Sequence, residues 1–195
     1  KYITFGCFNN SSKISDVVIK TWSQILSKVK DSRLIIKAPS SAAEIAQKNI
    51  LKKFLNFNID SSRILFCPRE KKKDDHYRMY NKVDVSLDTF PYTGVTTSIE
   101  SFWMGVPVLT LKGNNFVSRC GESLNLNLEM PEFIGETIED YINKAVAISE
   151  DKEKLSIIRK SLRKKVLSSP LFDVESFSED FSNLLNKVWE KYPIK

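Results

Sequence analysis

Short apolar runs that are rich in β-branched residues recur along the first part of the chain. They occupy residues 2–8, 32–38, 63–68, 83–88 and 106–111. Each run is continuous rather than alternating, which is typical of a strand that is covered on both faces. The pattern therefore predicts five strands of a buried parallel sheet.

Apolar residues at helical spacing occur between these runs. Val18, Trp22, Ile25 and Val29 recur at intervals of four, three and four, which places them on one face of a helix that starts near Ser15. Three later segments also have helical character: residues 41–55, 73–81 and 97–104. Strands that alternate with helices predict an α/β fold, a Rossmann-like parallel sheet that is flanked by helices and connected by right-handed crossovers.

Beyond residue 111 the apolar pattern becomes helical. It predicts three C-terminal helices, whose apolar positions are Ile138, Ile142, Ala145 and Val146, then Leu155, Ile158, Leu162 and Val166, then Phe177, Phe181, Leu184, Val188 and Trp189. Pro170 separates the last two helices, and Asp173 and Ser176 are candidate caps for the third. No internal repeat or second core is visible, so we expect residues 1–195 to form a single domain.

The composition is that of a soluble globular protein. Hydrophobic residues make up 42% of the 195, which is enough for one substantial core. No apolar run approaches the roughly 20 residues that span a bilayer, and no N-terminal segment has the pattern of a signal peptide. Cys7, Cys67 and Cys120 lack the paired spacing of zinc sites or disulfide frameworks. We expect a cytoplasmic protein with no membrane partner and no structural zinc.

The formal net charge of +6 favours anionic partners in general, because excess lysine and arginine attract phosphate esters, nucleic acids and acidic surfaces. A solvated, lysine-rich surface explains the same charge at least as well. No basic stretch carries interleaved aromatic residues or a known nucleic-acid-binding signature. Nucleic acid is therefore the least favoured partner.

The segment PYTGVTTSIES, residues 91–101, joins the fourth predicted strand to a predicted helix. The backbone N–H groups and hydroxyls of Thr96 and Thr97 would lie at the positive end of that helix, and Gly94 would let a phosphate approach the backbone closely. An ordinary capping box accounts for the same residues, with Thr97 as the N-cap and Glu100 reaching back to its N–H. The pattern predicts either an anion site or a helix cap.

Polar residues also follow the first and third predicted strands. Asn9, Asn10 and Lys13 follow the first, where a polar turn with a helix cap explains them as well. His76 and the adjacent lysines 71–73 follow the third, and a solvated charge run is the usual meaning of such lysines. Because ligands of open parallel sheets bind beyond the carboxyl ends of the strands, the three loops together predict a nucleotide site.

Several chemistries are excluded by motifs that the chain lacks. His76 is the only histidine, which rules out a multi-histidine metal site within the chain. There is no GxxxxGK[ST] loop, so the chain is not a P-loop NTPase. No GxGxxG follows the first strand, so a dinucleotide-dependent dehydrogenase is not expected.

Four segments in order resemble the catalytic lobe of the O-GlcNAc transferase family, including its bacterial members and its plant SPINDLY branch. They are FNNSSKI, the stretch from Cys67 to Leu111 that contains His76, the dipeptide Ser118–Arg119, and SSPLF. The resemblance extends from about residue 5 to residue 192. It implies the C-terminal lobe of a GT-B fold, in an inverting glycosyltransferase that uses a nucleotide sugar and needs no metal or other cofactor.

The resemblance also implies that this lobe is one part of a longer protein. In the family, tetratricopeptide repeats and an N-terminal lobe precede it, and they would carry most of the protein acceptor site. A first residue other than methionine agrees with that expectation. We therefore expect the chain to be inactive, or nearly so, by itself.

The resemblance implies a role for each polar loop residue. Asn10 would donate to the diphosphate or sugar, Lys13 would neutralise the departing diphosphate, and Thr96 and Thr97 would bind the diphosphate at the helix N-terminus. Asn10 occupies a position where the animal enzymes have glutamine, which shortens the reach of its amide. No base for the acceptor hydroxyl is identified.

On the nucleoside side, Lys73 would contact the nucleoside, His76 would stack on the base, and Glu100 would accept hydrogen bonds from the ribose hydroxyls. Val95 replaces a histidine of the animal enzymes, so one polar donor contact is missing. UDP-GlcNAc is the expected donor, with transfer to protein serine or threonine. The alternatives are GDP-fucose, as in the SPINDLY branch, and a nucleotide-binding module without catalysis.

Overall fold

The computed structural model describes residues 2–37, 43–68, 70 and 72–192. Its sheet has six strands: β1 (Thr4–Cys7), β2 (Arg33–Lys37), β3 (Ile64–Cys67), β4 (Val85–Leu87), β5 (Val108–Leu111) and β6 (Ile134–Gly135). The spatial order is β3-β2-β1-β4-β5-β6, and every neighbouring pair is parallel. The predicted Rossmann-like parallel sheet is confirmed.

The first five strands coincide with the five apolar runs to within two residues at each end. Position 38, the predicted end of the second run, lies outside the described residues. Phe5, Leu34, Ile36 and Val85 are fully buried, because helices cover both faces of the sheet. Continuous apolar runs are therefore the correct signal for strands in this chain.

Eight α-helices accompany the strands within the described residues: α1 (Asp16–Lys28), α2 (Ala43–Leu55), α3 (Lys73–Met79), α4 (Thr96–Trp103), α5 (Phe116–Asn127), α6 (Ile138–Glu150), α7 (Lys152–Leu167) and α8 (Val174–Lys191). The predicted helix 41–55 corresponds to α2, although positions 41 and 42 lie outside the described residues. In α1, Ser15 is the N-cap and accepts the N–H of Val18. The side chains of Val18, Trp22 and Ile25 are buried, as predicted.

Two elements between residues 112 and 137 do not appear in the apolar pattern. Strand β6 is only two residues long, which is too short to form a recognisable run. Helix α5 contains serine, asparagine and glycine, which are weak helix formers. Its start is stabilised by a capping box between Asn115 and Ser118, and Gly121 allows it to approach Thr110 of β5 closely. Capping and packing compensate for the low helix propensity.

The three predicted C-terminal helices are α6, α7 and α8. Ile142 of α6 and Leu162 of α7 lie in the core, and Asp173 caps α8 by accepting the N–H of Ser176. The apolar positions of α8 are different, since its large apolar side chains all remain at least half exposed: Val174, Phe177, Phe181, Leu184, Leu185, Val188 and Trp189. Among the described residues, no helix is both long and apolar enough to cross a bilayer.

Candidate functional site

The crossovers of the sheet change direction between β1 and β4. The chain runs from β1 outward to β2 and β3, then returns to β4 and continues in the opposite direction to β5 and β6. Loops at the carboxyl ends of β1 and β4 therefore diverge and leave a crevice, which is the usual ligand site of such sheets. Residues 8–15 and 88–95 form these two loops.

A buried aspartate connects the two loops. The Oδ1 atom of Asp88 accepts hydrogen bonds from Nδ2 of Asn9 at 2.8 Å and from the backbone N–H of Gly94 at 2.7 Å. Its Oδ2 atom accepts the hydroxyl of Thr110 at 3.0 Å. Burial raises the pKa of Asp88 to about 6, although these hydrogen bonds act in the opposite direction. Asp88 thus holds the turn before α4 against β1 and β5.

Asn9 carries the connection on to α4. Its Nδ2 atom donates hydrogen bonds to Asp88 and Thr89. Its Oδ1 atom accepts a hydrogen bond from the hydroxyl of Thr97. A Cβ atom on Gly94 would lie 2.6 Å from Oδ1 of Asn9 and 2.6 Å from Oγ1 of Thr97. Position 94 therefore requires glycine, because side chains of the protein itself lie too close for a Cβ atom. The sequence had suggested a different reason, the close approach of a phosphate.

The capping-box interpretation of this turn is wrong. Helix α4 begins at Thr96 with Val95 as the N-cap, and none of the described side chains caps it. The hydroxyl of Thr97 donates to Asn9, and the carboxylate of Glu100 points to other partners. The first N–H groups of a helix have no intrahelical acceptor. Helix α4 therefore presents backbone donors and the positive end of its dipole at the crevice.

Lys13 belongs to the loop after β1, and its side chain reaches the turn before α4. Its Nζ atom donates to the backbone oxygen of Thr93 at 3.0 Å and lies 3.6 Å from the ring centroid of Tyr92. An ammonium group has three N–H donors, so donors remain for a ligand. The structure therefore places Lys13 directly beside the turn that precedes Gly94 and α4.

His76 and Glu100 form the second part of the site. The Nε2 atom of His76 lies 2.9 Å from Oε2 of Glu100, and the Nδ1 atom contacts Nζ of Lys37 at the end of β2. The hydroxyl of Tyr80 lies 3.3 Å from the same Oε2 atom. Burial and the charge of Glu100 raise the pKa of Tyr80, which keeps it a phenol and a donor. Phe8 packs against the ring of Tyr80.

Two of the predicted site residues lie apart from these clusters. Asn10 is exposed, and its Oδ1 atom accepts the N–H of Ser12, so it caps the turn before α1. Lys73 is exposed in the first turn of α3. Lys71, which belongs to the same basic run, lies outside the described residues. The ligand roles of Asn10 and Lys73 remain predictions.

Three residues of the site were not identified in the sequence: Asp88, Lys37 and Tyr80. Asp88 and Lys37 share a signal, because each is a charged residue at the carboxyl end of an otherwise apolar run. Charge is expensive next to a buried strand unless it has partners. Tyr80 has no comparable signal, since an aromatic residue at the end of a helix is ordinarily part of the core.

A cleft of about 630 Å³ opens next to this site. It is bounded by Val95 at the start of α4 and by Asn115, Phe116 and Arg119 of α5 and its cap. A larger cleft, of about 840 Å³, lies at the amino ends of the strands beside Arg33 and Arg63. The first of these clefts meets the site at Val95, whereas the second lies at the opposite edge of the sheet.

The cysteines and the acidic residues of this chain do not add a nucleophile or a metal cluster to the described part of the site. Cys7, Cys67 and Cys120 are free thiols, and burial raises the pKa of Cys7 to about 12, so it is not a nucleophile. Within the described part of the chain, no cluster of three or more His, Cys, Asp or Glu side chains is arranged to hold a metal ion. Metal independence nevertheless stays a prediction.

Known proteins resemble this chain over nearly all of its length. A SPINDLY protein of Hordeum vulgare, named a probable UDP-N-acetylglucosamine–peptide N-acetylglucosaminyltransferase, is 34% identical over 191 residues, which are 98% of this chain and 20% of that protein. A UDP-N-acetylglucosamine–peptide N-acetylglucosaminyltransferase of Caenorhabditis elegans is 31% identical over 97% of this chain and 16% of its own length. The chain thus spans about a fifth of the length of these curated relatives.

Solved structures show the same relationship. An O-GlcNAc transferase mutant of Thermobaculum terrenum superposes with a TM-score of 0.91 at 30% identity, over 97% of this chain and 36% of that one. Anabaena Alr3699/HepE in complex with UDP and glucose has a TM-score of 0.65 at 15% identity, over 95% of this chain and 48% of that one, which shows likeness of fold alone. The family described as glycosyl transferase family 41 matches residues 1–181. The predicted resemblance is therefore confirmed, and the chain belongs to glycosyl transferase family 41.

Proposed function

We propose that this chain is the donor-binding lobe of an inverting, metal-independent glycosyltransferase that transfers GlcNAc from UDP-GlcNAc to serine or threonine of proteins. One observation carries the proposal. An uncapped helix N-terminus, the ammonium group of Lys13 and the His76–Glu100 pair all lie at the carboxyl edge of one parallel sheet, around its switch point. These groups match the diphosphate, the base and the ribose of one nucleotide.

The diphosphate would lie against the start of α4. Backbone N–H groups at Thr96 and Thr97 are fixed donors at the positive end of the helix dipole, and Lys13 adds a full charge from the opposite loop. The hydroxyl of Thr97 already donates to Asn9, so the backbone of Thr97 rather than its side chain would donate to phosphate. The hydroxyl of Thr96 is exposed, and it forms no hydrogen bond with any of the residues that the structure describes.

The nucleoside would occupy the side of the crevice formed by α3 and the first turns of α4. The ring of His76 would stack on the base, and Glu100 would accept the ribose hydroxyls through Oε1. None of the hydrogen bonds among the described residues uses that oxygen, since His76 and Tyr80 both contact Oε2. Lys73, one turn before His76, would reach the edge of the nucleoside.

The proposed reaction breaks the bond between the sugar and the diphosphate while an acceptor hydroxyl attacks from the opposite side. Negative charge then develops on the leaving diphosphate. Donors that are held in place before the reaction stabilise such charge without reorganisation, and loss of one commonly lowers the rate by about 10²-fold. Lys13 and the start of α4 would supply this stabilisation. Most of the acceptor site would lie on the remainder of a longer protein.

A calorimetric and thermal-shift titration of the chain with UDP, GDP, UDP-GlcNAc and GDP-fucose tests the proposal. A ligand at 100 times its dissociation constant stabilises a fold by about 2.7 kcal/mol. We expect UDP and UDP-GlcNAc to raise the melting temperature and GDP to do so less. If only GDP and GDP-fucose stabilise the chain, the donor is GDP-fucose rather than UDP-GlcNAc. If none of the four ligands raises the melting temperature, nucleotide binding is refuted.

A further inference from the structure

The His76–Glu100 pair has a third member that lies on a different element of the fold. Lys37 is the last residue of β2, and its Nζ atom contacts Nδ1 of His76. On the other side of the ring, Nε2 lies 2.9 Å from Oε2 of Glu100 in α4. The imidazole is therefore held at both nitrogens, between a cation and an anion.

This arrangement determines where the ring carries its proton. An ammonium group only donates hydrogen bonds, so Nδ1 of His76 must accept. A carboxylate only accepts, so Nε2 must carry the proton and donate it to Glu100. Both requirements are met by one neutral tautomer, with the proton on Nε2. The imidazolium form would instead direct an N–H group at the ammonium group of Lys37.

We propose that Lys37 is a positioning residue for base recognition: it fixes the tautomer and the plane of His76, so that a flat, neutral ring face is presented to the base of the nucleotide. The inference rests on the proposed function, because it needs a nucleotide in the crevice. It adds a residue from β2 to a site that otherwise consists of the loops after β1 and β4 and of α3 and α4.

Three aromatic rings contact His76 without stacking in parallel on its imidazole. Phe8, Tyr77 and Tyr80 surround the imidazole at interplanar angles of 45°, 41° and 72°, with ring centroids 5.4–6.2 Å away. None of these three rings stacks parallel to the imidazole. They restrict its tilt from the sides, while the hydrogen bonds to Lys37 and Glu100 restrict its rotation.

Lys37 acts on Glu100 through the same ring. If the cation were absent, Glu100 would still keep the proton on Nε2, but Nδ1 would lose its hydrogen bond and the ring would be held at one nitrogen only. The ring and the carboxylate of Glu100 could then move together, and Oε1 would no longer be fixed in the position in which it is available to the ribose. Loss of Lys37 therefore disturbs base and ribose recognition together.

The first experiment uses the fact that His76 is the only histidine of the chain. Labelling the histidine ring with ¹⁵N gives one pair of signals without any assignment problem. At neutral pH we expect a protonated Nε2 and an unprotonated Nδ1 in the unliganded chain. In Lys37→Met, a side chain of similar length without a donor, we expect the Nδ1 signal to shift, because that nitrogen loses its hydrogen bond. Lys37→Arg retains a donor and should restore the original pattern.

The second experiment measures UDP affinity in the same variants by calorimetry. We expect Lys37→Met to weaken UDP binding about tenfold, because the variant loses a hydrogen bond that involves a charged group. Lys37→Arg should recover most of that loss. Lys28→Met is the matched control, since it removes one exposed lysine at the opposite edge of the sheet and should bind UDP normally. Melting curves identify any variant that fails to fold.

The outcomes separate this inference from the proposed function. A wild-type chain that binds none of the tested nucleotides refutes the function, whatever the tautomer. A proton on Nδ1, or an imidazolium, in the wild-type chain at neutral pH refutes the role of Lys37. Unchanged ¹⁵N signals or unchanged UDP affinity in Lys37→Met also refute it. So does a Lys37→Arg variant that behaves like Lys37→Met.

Discussion

The side-chain amide of Asn9 donates a 2.8 Å hydrogen bond to the carboxylate of Asp88, a residue 79 positions later in the chain. Both side chains are buried, with exposed fractions of 6% and 2%. The bond connects the loop after β1 to the loop after β4 at the switch point of the sheet. The geometry of the proposed diphosphate site therefore depends on a buried contact between the loops that follow two neighbouring strands.

Asp88 should make stability depend on pH. Burial raises its pKa from 3.8 to about 6, so between these values the folded protein retains a proton that the unfolded chain has lost. Stability from this group is complete below pH 3.8 and is lost as the pH rises through about 6. Relative to Asp88→Asn, the wild-type free energy of unfolding should fall by up to ~3 kcal/mol across that range.

Urea unfolding at pH 4, 5, 6 and 7 measures how the free energy of unfolding of each protein depends on pH. The exposed Asp180→Asn variant is the control and should follow the wild-type profile. Parallel profiles for Asp88→Asn and the wild type would show that Asp88 titrates normally in the folded chain.

Gly94→Ala should disturb the connection between Asn9 and α4. The added Cβ would lie within 2.6–2.8 Å of the side chains of Asn9, Thr97 and Ser98. Overpacking of this kind typically costs about 1–3 kcal/mol, and displacement of α4 should weaken UDP binding as well. Chemical denaturation and calorimetry measure both effects. Val174→Ala, at an exposed position of α8, should leave both unchanged. Normal UDP affinity in Gly94→Ala would contradict the assigned geometry.

Lys13→Met should weaken UDP binding about tenfold, because a charge-assisted hydrogen bond to phosphate is among the stronger polar contacts. Lys13→Arg keeps the charge and should bind nearly as well as the wild type. Where transfer can be measured, kcat should fall more than KM rises, since the charge that Lys13 meets is largest in the transition state. An unchanged kcat would remove Lys13 from the reaction.

Glu100→Gln separates ligand binding from helix stability. Because Glu100 does not cap α4, and glutamine keeps an oxygen acceptor for His76 and Tyr80, the melting temperature of the unliganded chain should change little. The affinity for UDP should fall, since charged acceptors form hydrogen bonds about twice as strong as neutral ones. Glu150→Gln is the control for charge. Reduced stability with intact UDP affinity would assign Glu100 to structure alone.

The apolar face of α8 should contribute little to the stability of this chain. Phe181 and Trp189 are 50% and 61% exposed, whereas Leu162 of α7 is 1% exposed. We expect Phe181→Ser and Trp189→Ser to change the free energy of unfolding by less than about 0.5 kcal/mol, and Leu162→Ala to lower it by about 2–5 kcal/mol. Urea denaturation measures all three. A large loss for Trp189→Ser would show that α8 packs on the core in solution.

Local patterns in the sequence were sufficient for most of the architecture. Five strands and the α1 helix were predictable because burial on two faces, or on one face, leaves a continuous or a periodic apolar pattern in a few neighbouring residues. Helix α5 was not predictable, since its sequence is locally unfavourable and Gly121 makes sense only against Thr110 of a different element. Strand β6 was too short to leave any pattern.

The candidate site shows the same division. By itself, the sequence determined which loops carry phosphate-compatible residues, because those loops follow apolar runs whose carboxyl ends lie at one edge of a parallel sheet. Only the tertiary structure decided the partners. In the sequence, Thr97 and Glu100 fit a capping box as well as they fit a ligand site. In the structure, Thr97 donates to Asn9, 88 residues away, and Glu100 pairs with His76, 24 residues away. Such contacts depend on strand order and helix orientation, and interactions among neighbouring residues of the turn determine neither.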